Sequence, residues 1–149
     1  GSEMCIRDRY KPVLIELNRA DTNELMRLPG IGQVFAGRII RYRDLLGGYI
    51  DLGQLNEVYG LESFPLSRID SVVTVDKGLV LPINLNLAGF ADLVRHPYLS
   101  KNDVISILQY RDFAKEIRSV EELFTNIAID SMKRERMRFY LTVSDSLLN

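Results

Sequence analysis

The residues that could do chemistry in this chain stand in one five-residue stretch, Leu28-Pro29-Gly30-Ile31-Gly32. Nothing in it is nucleophilic or titratable; what it offers is backbone. Pro29 disfavours the helical region for Leu28, and Gly30 and Gly32 allow the positive φ of a sharp reversal. A helix starting just past such a turn leaves its first N–H groups exposed, and with the helix dipole they suit an anion. Gln33 opens that helix, and Arg27, Arg38 and Arg41 are the nearest cations. Pro29, Gly30, Ile31, Gly32, Gln33, Arg27, Arg38 and Arg41 are therefore the candidate site. The alternative for the arginines is a solvated helix face with Glu24 or Asp44 as partners. For the glycines it is a helix–helix turn with no ligand.

Two helices must position this turn. Upstream, Asp21 to Leu28 carries Asp21 and Glu24 at capping-box spacing. Downstream, Gln33 to Leu46 places Phe35, Ile39, Tyr42 and Leu46 on one apolar stripe, opposite Gln33, Gly37, Arg41 and Asp44. Gly47-Gly48 then stops the helix, as a glycine just past a helix end does.

A helix, a Gly-x-Gly hairpin and a second helix resemble the helix-hairpin-helix motif, which grips nucleic-acid phosphates without reading sequence. Asn18-Arg19-Ala20-Asp21, Glu24-Leu25, the hairpin, and Arg38-Ile39-Ile40-Arg41-Tyr42-Arg43 together look like the DNA-receptor domain of bacterial competence proteins (ComEA-like), from about Ile15 to Val75. The resemblance implies non-sequence-specific binding of double-stranded DNA in DNA uptake, through hairpin amides on phosphate. It also implies a cell-envelope location if a signal or anchor precedes the chain. The lysine that such domains often carry just after the hairpin is replaced here by Gln33 and Val34.

Shifted by 68 residues, the chain lands on itself. Ile15, Leu17 and Asn18 match Ile83, Leu85 and Asn86; Tyr42-Arg43-Asp44 matches Tyr110-Arg111-Asp112; Thr74-Val75 matches Thr142-Val143. One register without gaps indicates a tandem duplication. The expected organisation is a stray or disordered start at 1–12, a first helix-hairpin-helix domain at 13–76 and a second, diverged one at 77–145. A weaker shift of 30 lays the hairpin on Val58-Tyr59-Gly60-Leu61-Glu62, so each domain reads as a double helix-hairpin-helix unit. Asp51 with Gln54 starts a third helix to Val58, and Leu66 to Val72 reads as a fourth. Ser100 with Asp103 and Ser119 with Glu122 start helices in the second half, and Thr74 to Leu81 reads as an extended strap. The fold class is all-α: two tandem bundles of four or five helices. Their cores are Leu25, Leu28, Ile39, Tyr42, Leu55, Val58 and Ile69, then Leu93, Ile107, Tyr110, Leu123 and Met137. Val13-Leu14-Ile15 and Leu81-Pro82-Ile83 are expected to lie across them.

The four hairpins differ in chemistry. Glu62 replaces the second glycine and would repel a phosphate. His96 to Ser100 has Tyr98 and Ser100 for the glycines, and a tyrosine resists positive φ. Asn126 to Asp130 has Ala128 and Asp130. One hairpin of four reads as competent. His96 reads as a helix-end or half-buried histidine, and Phe35 and Phe139 as core. In Lys133 to Arg138, Arg134 and Arg138 share a solvated face while Met137 turns inward; a phosphate or anionic partner is the alternative use of that face.

Composition sets limits. The chain has 149 residues, 46% apolar and 26% charged, with a net charge of −1. Ile15 to Asp76 holds six basic and nine acidic residues, and Lys77 to Asn149 ten and nine, so neither half attracts DNA by charge alone. Cys5 is single, which rules out an internal disulfide. No signal peptide or membrane span is visible. With no nucleotide-binding loop, Ser/His/Asp set or metal spacing, the reading is no enzyme, no cofactor and no small-molecule substrate. Base-excision glycosylases also carry this hairpin, but their catalytic Asp stands on a longer helical domain. Two functions stay open: weak DNA binding at the first hairpin, or a cell-envelope interaction scaffold that has lost most DNA contact. A protein partner would then meet the second unit.

Overall fold

The structure is a computed structural model that describes residues 14–144. The expected stray segment 1–12, Val13 and the domain end at 145 lie outside the described residues. Among the described residues the chain is mostly helical, with four strands of two residues each. The described residues divide into two compact units: 14–42 with Tyr49–Gly78, and Arg43–Gly48 with 79–144.

In the first unit β1 (Ile15–Glu16) pairs in parallel with β2 (Val73–Thr74), Ile15 opposite Val73. Between them run α1 (Thr22–Leu25), α2 (Gln33–Leu46) and two 3₁₀ helices, Leu52–Glu57 and Leu66–Arg68. The capping boxes form as expected. Asp21 Oδ1 accepts the Glu24 N–H at 2.8 Å, and Asp51 Oδ1 accepts that of Gln54 at 3.1 Å. The expected third and fourth helices are 3₁₀ pieces instead. Gly53 in the first turn lowers helix propensity, and Pro65 leaves only a short stretch after it, where 3₁₀ geometry is common. The Thr74–Leu81 strap likewise contains one 3₁₀ turn at Lys77–Leu79.

Leu17, Leu25, Leu28, Ile39, Leu55, Val58 and Ile69 are buried, each worth roughly 2 kcal/mol relative to exposure. Tyr42 departs from the expected core. It is half-buried, with its hydroxyl donating to Glu57 at 2.7 Å. The buried aromatic is Tyr49, whose hydroxyl donates to the Ile39 carbonyl at 2.7 Å. Asn18 staples the same segment, accepting the Tyr49 N–H at 2.6 Å and donating to the Tyr49 carbonyl at 2.9 Å.

In the second unit β3 (Ile83–Asn84) pairs in parallel with β4 (Leu141–Thr142). α3 (Phe90–Val94), α4 (Lys101–Ala114), α5 (Val120–Asn126) and α6 (Ser131–Met137) follow β3. Ser100 caps α4, Ser119 caps α5, and Asp130 caps α6. Leu85, Leu93, Ile107, Leu123 and Met137 form the core. Asn86 accepts the Ile117 N–H and donates to its carbonyl, both at 2.8 Å. Tyr110 is half-buried, donating to Glu122 at 2.7 Å. Phe139, expected in the core, is 45% exposed, and Tyr140 beside it is buried with its hydroxyl on the Gly48 carbonyl. Beyond the end of α6 the helical period no longer applies, so the stripe shifts by one residue.

Candidate nucleic-acid interface

The first hairpin is a hydrogen-bonded turn. Ile31 N–H donates to the Leu28 carbonyl at 3.1 Å, Pro29 sits at the second position, and Gly30 has φ +86°. Proline then a left-handed glycine is the signature of a type II turn. Gly30 is also needed for space, because a Cβ there would stand 3.1 Å from the Phe64 ring. Phe64 escaped the sequence reading; nothing short of the fold brings a residue 34 positions away onto the turn.

Gly32 differs from the expectation. Its φ is outside the left-handed region, and no atom lies within 4 Å of where a Cβ would be. Its carbonyl accepts the Ala36 N–H at 2.9 Å, which makes it the N-cap of α2. Glycine has no side chain to cap the N–H groups of Gln33, Val34 and Phe35. At the position 68 residues on, Ser100 caps α4 with its hydroxyl. Pro29, Gly32, Gln33 and Val34 are exposed around these amides, whereas Ile31 is buried and its N–H is used inside the turn.

The arginines do not converge. Arg27 is exposed beside the turn. The Arg41 guanidinium lies back along α2, 3.6 Å from where a Cβ on Gly37 would stand. Arg38 turns to the other hairpin: Nη1 donates to the Tyr59 carbonyl at 3.1 Å, and the guanidinium lies 4.8 Å from the Tyr59 ring centre and 5.7 Å from that of Phe35. Phe35 in turn packs on Gly60, 2.7 Å from where its Cβ would be. Gly30 and Gly60, the left-handed glycines of the two turns, thus each lie under a phenylalanine that follows the other hairpin.

Two of the three remaining hairpins, those with Glu62 and Asp130, hold their own acids. Gly60 has φ +91°, and Leu61 N–H donates to Val58, so the turn of the first hairpin recurs there. The Glu62 carboxyl is held below its ordinary range by its own N–H and that of Gly60, with Arg38 nearby. In the second unit Leu99 N–H donates to His96, but Tyr98 is not left-handed; its N–H donates to His96 Nδ1 at 3.1 Å. His96 is 1% exposed, more buried than expected, and desolvation lowers its pKa from 6.5 to about 4, only partly offset by the Leu46 carbonyl. Asp130 accepts the N–H groups of Met132 and Lys133. In the basic cluster, Lys133 lies 2.9 Å from Asp103 and Arg138 2.6 Å from Glu121.

Among the described residues no helix is long and apolar enough to cross a membrane. The chain is similar to known proteins in two ways. A family model described as the helix-hairpin-helix motif matches residues 11–74. Proteins named "Endonuclease/exonuclease/phosphatase family domain-containing protein 1" are similar over most of the chain. The rat protein is 27% identical over 83% of this chain and 27% of its own length. The zebrafish protein is 26% identical over 89% and 27%, and the human one 26% over 83% and 27%. The chain thus spans about a quarter of the relatives it matches. No solved structure matches it. The expectation of a non-enzyme is overturned by these relatives, whose name is that of an enzyme family. The relatives are vertebrate, so what the comparisons carry is the hairpin motif, not competence, DNA uptake or a bacterial source.

Proposed function

We propose that the first unit holds the phosphate backbone of double-stranded DNA, without reading sequence, at the Leu28–Gly32 hairpin and the start of α2. We further propose that it does so as the DNA-holding part of a protein with an endonuclease/exonuclease/phosphatase domain. The carrying observation is Gly32. The fold demands no glycine there, yet the residue leaves the first amides of α2 open to a close-approaching anion. Phosphate oxygens would accept the N–H groups of Gln33 and Val34, with Arg27 and Arg41 supplying charge. Arg38 instead braces the second hairpin. The motif match over 11–74 and the names of the relatives support the reading.

The two units are best read as a tandem duplication. α2 at 33–46 and α4 at 101–114 differ by 68 at both ends. So do the strand pairs Ile15↔Val73 and Ile83↔Leu141, and the Asn18 and Asn86 staples. Under this reading the second unit is a diverged copy with altered hairpins. A scaffold reading, in which the chain binds protein and not DNA, is favoured by Glu62 and Asp130, which occupy the amides of their own segments.

Nonspecific sites of this kind bind at roughly 10⁻⁴ to 10⁻⁶ M near physiological salt, and one open hairpin in an acidic unit points to the weak end. Fluorescence anisotropy with a labelled duplex should register binding at low salt. Gly32→Glu should abolish it with the melting temperature nearly unchanged, since position 32 has neither strain nor crowding. Equal binding by a folded Gly32→Glu protein refutes the hairpin contact. No binding by the parent leaves the scaffold reading.

A further inference from the structure

We propose that the second unit carries a receptor groove for an arginine side chain presented by a partner protein. A groove of about 400 Å³ lies between α4 and the segment after α5, lined by Ser106, Tyr110, Phe113, Ile127 and Ala128 among others. The argument rests on the duplication reading, under which these residues correspond to Arg38, Tyr42, Leu45, Tyr59 and Gly60. In the first unit that place is filled from within. Arg38 leaves α2, donates to the Tyr59 carbonyl at 3.1 Å and stacks 4.8 Å from the Tyr59 ring centre, its Nη1 2.8 Å from where a Gly60 Cβ would be. Ser106 is too short to make that bridge, and the space stays open.

What lines the space suits the group that is missing. No lysine or arginine is among the lining residues. The Glu122 carboxylate accepts the hydroxyl of the lining Tyr110 at 2.7 Å and the Arg118 N–H at 3.2 Å, but no cationic side chain is drawn onto it among the described residues. The Ile127 carbonyl corresponds to the Tyr59 acceptor. Phe113, 86% exposed on the rim, offers a ring face that Leu45 lacks. A planar guanidinium can use an acceptor and a ring face together, as Arg38 does, whereas an ammonium is a compact, strongly hydrated charge.

The test titrates the whole chain with N-acetyl-arginine amide, followed by amide NMR, with N-acetyl-lysine amide and adenosine monophosphate as competitors for the same place. Arginine amide at millimolar concentration should shift Ser106, Tyr110, Phe113 and Ile127 in a saturable way. Lysine amide should act several-fold more weakly, and Glu122→Gln should weaken the response. Ser106→Arg should abolish it and raise the melting temperature, because it restores the internal bridge. Lack of saturable shifts, an equal response to lysine, a response to the nucleotide alone, or shifts that survive Ser106→Arg would each overturn the proposal. If Ser106→Arg blocks binding without raising the melting temperature, the groove stands and the duplication reading fails. Gly32→Glu, which tests DNA binding, should leave the arginine response unchanged.

Discussion

His96 is the chain's single histidine, and under the proposed duplication it takes the place of Leu28, a buried leucine 68 residues before it. With Tyr98 N–H donating to Nδ1, the neutral ring keeps its proton on Nε2, and the Leu46 carbonyl near that atom is not well enough placed for a full hydrogen bond. Folding therefore favours the neutral form, consistent with a pKa lowered from 6.5 to about 4. Between those values the unfolded chain holds a proton that the folded chain releases. Stability is thus full above pH 6.5 and falls as pH drops toward 4, by up to about 3 kcal/mol. His96→Leu should flatten that limb of a denaturation profile; an unchanged acid limb would mean the ring is not the cause. The hairpin glycines separate in the same type of experiment. Gly60→Ala puts a Cβ 2.7 Å from Phe35 at φ +91° and should cost more than about 1 kcal/mol. Gly32→Ala should stay within about 0.5 kcal/mol, since position 32 is open. Equal losses in urea melts would refute the distinction.

At the scale of elements, the ends of α2 and α4 carry the sharpest contrast. Gly47 follows α2 with φ +92°, and Lys115 follows α4 with φ +69° in the corresponding place. A left-handed glycine just past a helix is common, but Lys115, with ψ −41°, lies outside the left-handed helical basin, and a side chain at positive φ is strained by roughly 1 kcal/mol or more. Lys115→Gly should stabilise the second unit by about that amount in a urea melt, and a loss of stability would show that the lysine side chain repays its strain elsewhere. Helix starts were legible in the sequence because a cap is a local event: Asp21 with Glu24 and Ser100 with Asp103 satisfy each other within one turn. The two-residue strands were not, because so short a stretch has no alternation to read. Arg38 was misleading for a similar reason. Its spacing on α2 is right for a phosphate, but its acceptor lies 21 residues on, across the fold. Asn18 and Asn86 stood in the repeat match all along, although only the fold reveals that each ties down the segment 31 residues later.

For the whole molecule, the net charge of −1 decides what kind of DNA contact is available. Three basic residues of the second unit are tied up within it. Lys133 is on Asp103, Arg138 on Glu121, and Arg111 on the carbonyls of Leu85 and Ala88. DNA held by the first hairpin alone therefore meets few cations, and few counterions are released when it binds. Each neutralised phosphate contributes about −0.9 to the slope of log K against log salt. With the amides of α2 and two flanking arginines at work, roughly two to four phosphates are involved, so the slope should fall at about −2 to −4. Arg41→Ala should make the slope shallower by about 1. Lys133→Ala and Arg138→Ala should leave it unchanged, because removing either takes away an internal pair and not a phosphate contact. A slope steeper than about −6, or one that flattens on Lys133→Ala, would move the DNA contact to the second unit and take the hairpin out of it.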